Sequence, residues 1–196
     1  MESARRKTKA VRGIEESIAV KQRLLRDEQF LVTLDLVAKL MVGALQKGHK
    51  LFFMGNGGSA ADAQHLAAEF VGRYLRERAP LPAVALCTNT SSLTAIANDY
   101  SFDTVLVRQL QALGTAGDVA VGLSTSGNSR NILHAMEAAK ARGMITVGLS
   151  GESGGLLKER VDYCLCIPSR ETPRIQEAHI LIGHLLCEIV EDELFG

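Results

Sequence analysis

Residues 55–69, Gly-Asn-Gly-Gly-Ser-Ala-Ala-Asp-Ala-Gln-His-Leu-Ala-Ala-Glu, set a glycine-rich turn directly ahead of a histidine and a carboxylate. Glycines let the backbone turn tightly and aim its N–H groups outward, and the positive end of a following helix favours an anion there. His65 and Glu69 stand four apart, on one face of that helix. A phosphate-holding loop with an acid–base or metal-binding pair behind it suits an enzyme acting on a phosphorylated small molecule.

A second loop carries more hydroxyls. Val119-Ala-Val-Gly-Leu123 runs into Ser124-Thr-Ser-Gly-Asn-Ser129 and then a helical stretch from Arg130. Hydroxyls at a helix N-terminus can donate to phosphate oxygens beside the free backbone N–H groups. A single Ser would suffice to cap the helix; four hydroxyls in six residues favour phosphate binding. The lysine of a Walker loop is missing, which argues against nucleoside triphosphate chemistry. Gly55-x-Gly57-x-x-Ala60 also fits a relaxed dinucleotide fingerprint, which needs a carboxylate at the tip of the second strand. Here Pro82-Ala-Val-Ala-Leu86 runs into Cys87-Thr-Asn-Thr90 without one, which argues against a dinucleotide site. The last helical stretch holds Arg174-Ile-Gln-Glu-Ala-His179 and His184. A lone helical His is most often a surface or core residue; with His65 and Glu69, these could form a mixed His/Glu site.

The elements that must position these residues alternate regularly. Short apolar strand candidates lie at 50–54, 82–86, 118–123, 144–149 and 162–167, with helical candidates at 59–78, 90–113, 130–142 and 173–193. Residues 14–48 read as helical with a turn near Asp27–Gln29, and Pro173 suits the first turn of the last helix. The alternation predicts an α/β protein: a three-layer α/β/α sandwich around a five-stranded, mostly parallel sheet, preceded by N-terminal helices. Residues 1–196 read as a single domain, with 1–13 as a flexible tail.

Lys plus Arg and Asp plus Glu balance at 22 each, which argues against a nucleic-acid partner. Arg5, Arg6, Lys7, Lys9 and Arg12 favour a solvated tail over a nucleic-acid arm. No apolar run approaches a membrane span or a signal-peptide core, so no membrane association and a cytoplasmic location are expected. Cys87, Cys164, Cys166 and Cys187 show neither Cys-x-x-Cys spacing nor the setting of a small secreted scaffold. Cys164 and Cys166 point to one face of their strand, which suits small buried hydrophobes better than metal ligands.

The glycine loop with Asp62-Ala-Gln-His65 and Glu69, Thr94-Ala-Ile-Ala-Asn-Asp99, the serine loop and Arg174-Ile-Gln-Glu-x-His179 with His184 together resemble the phosphoheptose isomerases. These sedoheptulose 7-phosphate isomerases belong to the sugar-isomerase (SIS) superfamily, whose fold is flavodoxin-like. The resemblance runs from about Glu15 to the C-terminus. The serine loop alone would indicate only SIS; His65, Glu69, Gln176 and His184 narrow it to this branch.

The resemblance implies conversion of D-sedoheptulose 7-phosphate to D-glycero-D-manno-heptose 7-phosphate through an enediolate. That is the first step toward the heptose of lipopolysaccharide or other bacterial surface glycans. It implies one Zn2+ per subunit on His65, Glu69, Gln176 and His184, with Glu69 as catalytic base and His184 as catalytic acid. It implies substrate contacts from Asn56, Gly57, Gly58, Ser59, Glu69, Asn98, Asp99, Ser124, Thr125, Ser126, Ser129 and Gln176. It further implies a homotetramer whose sites are shared between subunits. A carboxylate over the sugar carbons and a histidine at the oxygens match what proton transfer between C1 and C2 needs. Other readings are an SIS scaffold that binds the replication initiator, an isomerase of another sugar phosphate, and a sugar-phosphate sensor. Gln176 and His184, eight residues apart, would lie about 12 Å apart along a straight helix and roughly 80° apart around it. His184 is therefore expected to complete a site whose other ligands come from a different chain.

Overall fold

Short strands that are apolar on both sides need helices above and below them. The computed structural model, which describes residues 8–196, has that arrangement. Strands β1 (Leu51–Met54), β2 (Ala83–Ala85), β3 (Val119–Ser124), β4 (Ile145–Ser150) and β5 (Tyr163–Cys166) form one sheet in the order β2-β1-β3-β4-β5. Every pairing is parallel, so the sheet is wholly rather than mostly parallel. This is the flavodoxin-like order, and its direction reverses between β1 and β3. Ligands of such sheets bind in the crevice beyond the strand ends at that reversal. The glycine loop follows β1 and the serine loop follows β3, so both open there.

Alternation along β1 assigns its residues to two cores. Leu51 and Phe53 pack toward α1 (Lys9–Arg26), α2 (Glu28–Gln46), α3 (Gly58–Val71) and α8 (Thr172–Phe195). Phe52 and Met54 pack on the opposite face, with α5 (Val105–Leu113), α6 (Arg130–Ala141) and α7 (Leu157–Arg160). Full burial of each such side chain stabilises by about 1.5–3 kcal/mol. The remaining helix, α4 (Thr90–Asp99), lies over the second face through Leu93 and Ile96.

Several sequence expectations need correction. Thr8 accepts from the Val11 N–H and caps α1, so the helix begins at Lys9, inside the expected tail 1–13. Lys9 and Arg12 are therefore helical, while Arg5, Arg6 and Lys7 lie outside the described residues. The turn near Asp27–Gln29 narrows to Asp27, whose carboxylate accepts from the Phe30 N–H and caps α2. The stretch 90–113 is not one helix: after Asp99 the chain turns through Tyr100 and a 3₁₀ turn at Phe102–Thr104 before α5. Ser101 and Thr104 bond one another there, an alternative to helix that hydroxyl side chains supply. Helix α7 was not anticipated, being only four residues long. The stretch 59–78 stops being helical at Val71, for a reason that belongs to the site.

Candidate active site

The serine loop is organised by its own hydroxyls. Ser124 and Ser129 are hydrogen-bonded through their Oγ atoms at 3.0 Å, and Ser126 Oγ accepts from the Asn128 N–H. Ser129 occupies the N-cap position of α6 yet makes no side-chain cap bond, so the plain helix-capping role does not apply. The N-terminus of α3 likewise has no side-chain cap. Two helix starts without an N-cap side chain thus meet at the sheet reversal, where their positive ends suit an anion. Thr125 and Ser126 border a cavity of about 230 Å³, with Gly151, Ser153, Ser169 and Arg170 across from them.

Asn56 was expected to contact substrate, but its side-chain amide is paired at both ends with that of buried Asn131, at 2.9 Å each way. This pair ties the glycine loop to the first turn of α6. Gly57 takes φ +55 at the head of α3, and Ser59 is buried beneath it. Asn98 donates to Asp99 on the exposed end of α4.

The acid–base residues lie along a seam between α3 and α8, which run side by side in the same direction. Gln176 meets the start of α3: a Cβ at Gly58 would lie 2.5 Å from its amide nitrogen. Gly183 lets the helices close up, since a Cβ there would collide with Leu66. That approach brings His184 Nε2 to 2.8 Å from His65 Nε2, and Glu69 Oε1 lies 3.4 Å from the same His65 atom. His184 therefore groups with His65 and Glu69 of its own chain, contrary to the expectation that it completes another chain's site. Gln176, eight residues before His184, meets Gly58 at the start of α3.

The lower end of the seam explains why α3 stops. Glu191 of α8 and Arg78 form an ion pair at 2.8 Å, each side chain only 2% exposed. Glu191 also accepts from the backbone N–H groups of Tyr74, Leu75 and Arg76, which a continued helix would turn to its own carbonyls. Arg78 in turn donates to the carbonyls of Glu69 and Phe70 at the end of α3. Burial alone would raise the Glu191 pKa, but the three N–H groups and the guanidinium outweigh it and hold it below its usual value. The clamp delivers the Tyr74 ring to 5.7 Å from that of His184.

Asp62, one turn before His65, has a buried Oδ2 without a hydrogen-bond partner, and burial raises its pKa while His65 and His184 oppose that shift. Two imidazole nitrogens and a carboxylate oxygen form a donor set that zinc accepts. His65, Glu69 and His184 fit zinc in donor type, and Gln176 lies against Gly58 at the start of α3. No group of three or more His, Cys, Asp or Glu side chains among the described residues is yet drawn in tightly enough to hold a metal ion. Asn131, Tyr74, Arg78 and Glu191 escaped the sequence reading. Only Tyr74 and Arg78 carried a signal, as aromatic and basic residues just beyond a helix that was drawn too long.

The SIS domain model matches residues 15–151. The chain is 52% identical over 181 residues to phosphoheptose isomerase 2 of Campylobacter jejuni, covering 92% of this chain and 90% of that one. It is 52% identical over 182 residues to the phosphoheptose isomerase of Aneurinibacillus thermoaerophilus, covering 93% and 92%. Among solved structures, phosphoheptose isomerase GmhA from Neisseria gonorrhoeae superposes with a TM-score of 0.88 at 44% identity, covering 93% of this chain and 97% of that one.

Proposed function

This chain belongs to the phosphoheptose isomerases of the SIS-domain family, and from that premise we propose how its site works. The protein is an isomerase that converts sedoheptulose 7-phosphate to glycero-manno-heptose 7-phosphate. The observation that carries the mechanism is the cluster of Glu69, His65 and His184 along a seam whose upper end opens beside two uncapped helix starts. Ser124, Thr125, Ser126 and Ser129, with the N–H groups of α6, hold the phosphate. Glu69 removes a proton from one sugar carbon and returns it to the neighbour as general base. The His184 imidazole, 2.8 Å from that of His65, moves a proton between the two sugar oxygens. Tyr74 packs against the other side of this imidazole and limits its rotation.

His65, Glu69 and His184 would hold a zinc ion, which would supply positive charge to stabilise the developing enediolate. The chain assembles as a homotetramer. Support for association lies in α1 and α2, which leave Val11, Ile14, Ile18, Leu25, Val32 and Leu36 exposed on outward surfaces. The enzyme works in the cytoplasm, in line with the absence of any helix among the described residues long and apolar enough to cross a membrane. Its product feeds the heptose of bacterial surface glycans. The direct test is incubation of purified protein with sedoheptulose 7-phosphate, with five- and six-carbon ketose phosphates in parallel. Turnover of the seven-carbon substrate well above the others is expected; preference for a shorter sugar would displace the assignment.

A further inference from the structure

Cys164 and Cys166 lie two residues apart on β5, the edge strand farthest from β2. Alternation turns both side chains to one face, and their sulfurs stand 3.6 Å apart. Both cysteines are half-buried rather than buried, and Cys164 packs against the core on the second face as the sequence led one to expect. Lys158 of α7 lies close enough to act on both sulfurs. A Cβ on Gly154 would come within 3.1 Å of Cys166 Sγ, so the loop after β4 rests directly on this sulfur.

That same loop braces the serine loop. Gly127 has φ +67, and a Cβ there would collide with the Gly154 carbonyl. A Cβ on Gly155 would lie 2.5 Å from the Ser126 carbonyl oxygen. Just beyond, the Leu157 N–H donates to the Gly127 carbonyl and the Leu156 N–H to Asn128 Oδ1. The serine loop thus rests on backbone that itself rests on Cys166.

We propose that Cys164 and Cys166 form a reversible dithiol–disulfide site, closed by a hydroperoxide, that reports its redox state to the phosphate-binding loop through Gly154 and Gly155. The Cys166 thiolate attacks the peroxide: an S–O bond forms, the O–O bond breaks, and hydroxide leaves. Sulfur is oxidised by two electrons and the peroxide is reduced. The Cys164 sulfur then attacks the Cys166 sulfenic acid, an S–S bond forms, and the departing hydroxide takes up the Cys164 proton as water. The net change is two thiols and hydrogen peroxide to one disulfide and two waters. The hydrogen bond shared with Cys164, aided by Lys158 and opposed by burial, lowers the Cys166 pKa, while the same shared bond and burial raise that of Cys164. Cys166 is thus the nucleophile and Cys164 the resolving thiol. Residues two apart on a strand have Cα atoms about 6.6 Å apart, near the upper limit that a disulfide spans. Their parallel Cβ atoms must approach to about 4 Å, so closure buckles the edge strand and strains the bond. Such a bond is readily reduced, as a reversible site requires. Closing from 3.6 Å to about 2.05 Å draws Cys166 Sγ away from Gly154 and loosens the loop above it.

The test treats reduced full-length protein with hydrogen peroxide, alkylates the remaining thiols and maps the fragment 161–170, which trypsin releases with both cysteines. The expected product is that fragment lighter by two hydrogens and unalkylated, restored by a dithiol reductant. Bridged protein should show a KM for sedoheptulose 7-phosphate raised about fivefold with kcat within twofold, reversing on reduction. Cys164→Ser should stop at a sulfenic acid trapped by dimedone, and Cys166→Ser should remain unmodified in this fragment. Both cysteines staying alkylatable while Cys87 oxidises would overturn the site. A bridge with unchanged KM would overturn its coupling to the phosphate loop. The mass readout needs no turnover, so failure here is separable from failure of the isomerase assignment.

Discussion

The serine loop and the α3–α8 seam meet at one site but are built in opposite ways. The loop is locally organised: hydroxyls and backbone within 124–129 bond one another, one glycine at positive φ sets its turn, and the loop after β4 braces it from outside. The seam is a long-range object, in which residues more than a hundred positions apart are matched pair by pair. The loop's chemistry survives loss of one hydroxyl because its neighbours do similar work. The seam has no such redundancy, since each pair does a different job. Binding should therefore degrade gradually at the loop, and turnover or folding should fail abruptly along the seam.

The largest expected effect is at the seam's chemical pair. Glu69→Gln should lower kcat by roughly 10²–10⁴-fold, the range for losing a general base, with little change in thermal midpoint. A variant retaining a tenth of normal kcat would remove Glu69 from that role. Next comes the clamp. Arg78→Met leaves Glu191 buried without its cation, and breaking such a pair costs about 3–5 kcal/mol. Urea unfolding should show that loss, and a change below about 1 kcal/mol would mean that the clamp matters little.

The loop predictions are smaller. Gly127→Ala must strain φ +67 and shift Gly154, so KM should rise about tenfold, equivalent to about 1.4 kcal/mol, with kcat nearly kept. A kcat loss larger than the KM rise would blur the contrast between loop and seam. Ser129→Ala removes one hydroxyl contact of about 1 kcal/mol and should raise KM about fivefold. The smallest effect concerns pH. A carboxylate whose folded pKa is depressed contributes stability above its unfolded value of 4.5, and that contribution fades as pH falls through this value toward the folded one. Stability should therefore drop on acidification below about pH 4.5, and Glu191→Gln should be less stable at neutral pH with a shallower acid slope. Parallel acid slopes in the two proteins would assign the acid loss to other carboxylates.

The same contrast explains what could be read from the sequence. The strands announced themselves as apolar runs, and the two anion-facing loops as glycine and hydroxyl clusters, because those features act over a few neighbouring residues. The end of α3 was only partly legible: Gly72 stands directly after Val71 as a stop signal, but the anchor that holds the following loop, Glu191, lies on another helix. The placement of His184 was missed similarly. Its helical spacing from Gln176 was sound, but which of the two would meet His65 depended on where Gly183 let α8 approach α3. Asn131 looked like an ordinary polar residue on a helix and turned out to link the two loops.

Because α3 and α8 run parallel in a fixed register, they behave like two rulers laid edge to edge. Deleting one residue of α8 between His184 and Glu191 would turn Glu191 by about 100° and move it about 1.5 Å, while His184 kept its place. The histidine pair would remain and the loop beyond α3 would lose its anchor. A deletion between Gln176 and Gly183 would split the ruler at the other point. Sequence drift along these helices is thus freer in residue type than in residue count, and length between Gln176 and Glu191 is itself a functional quantity.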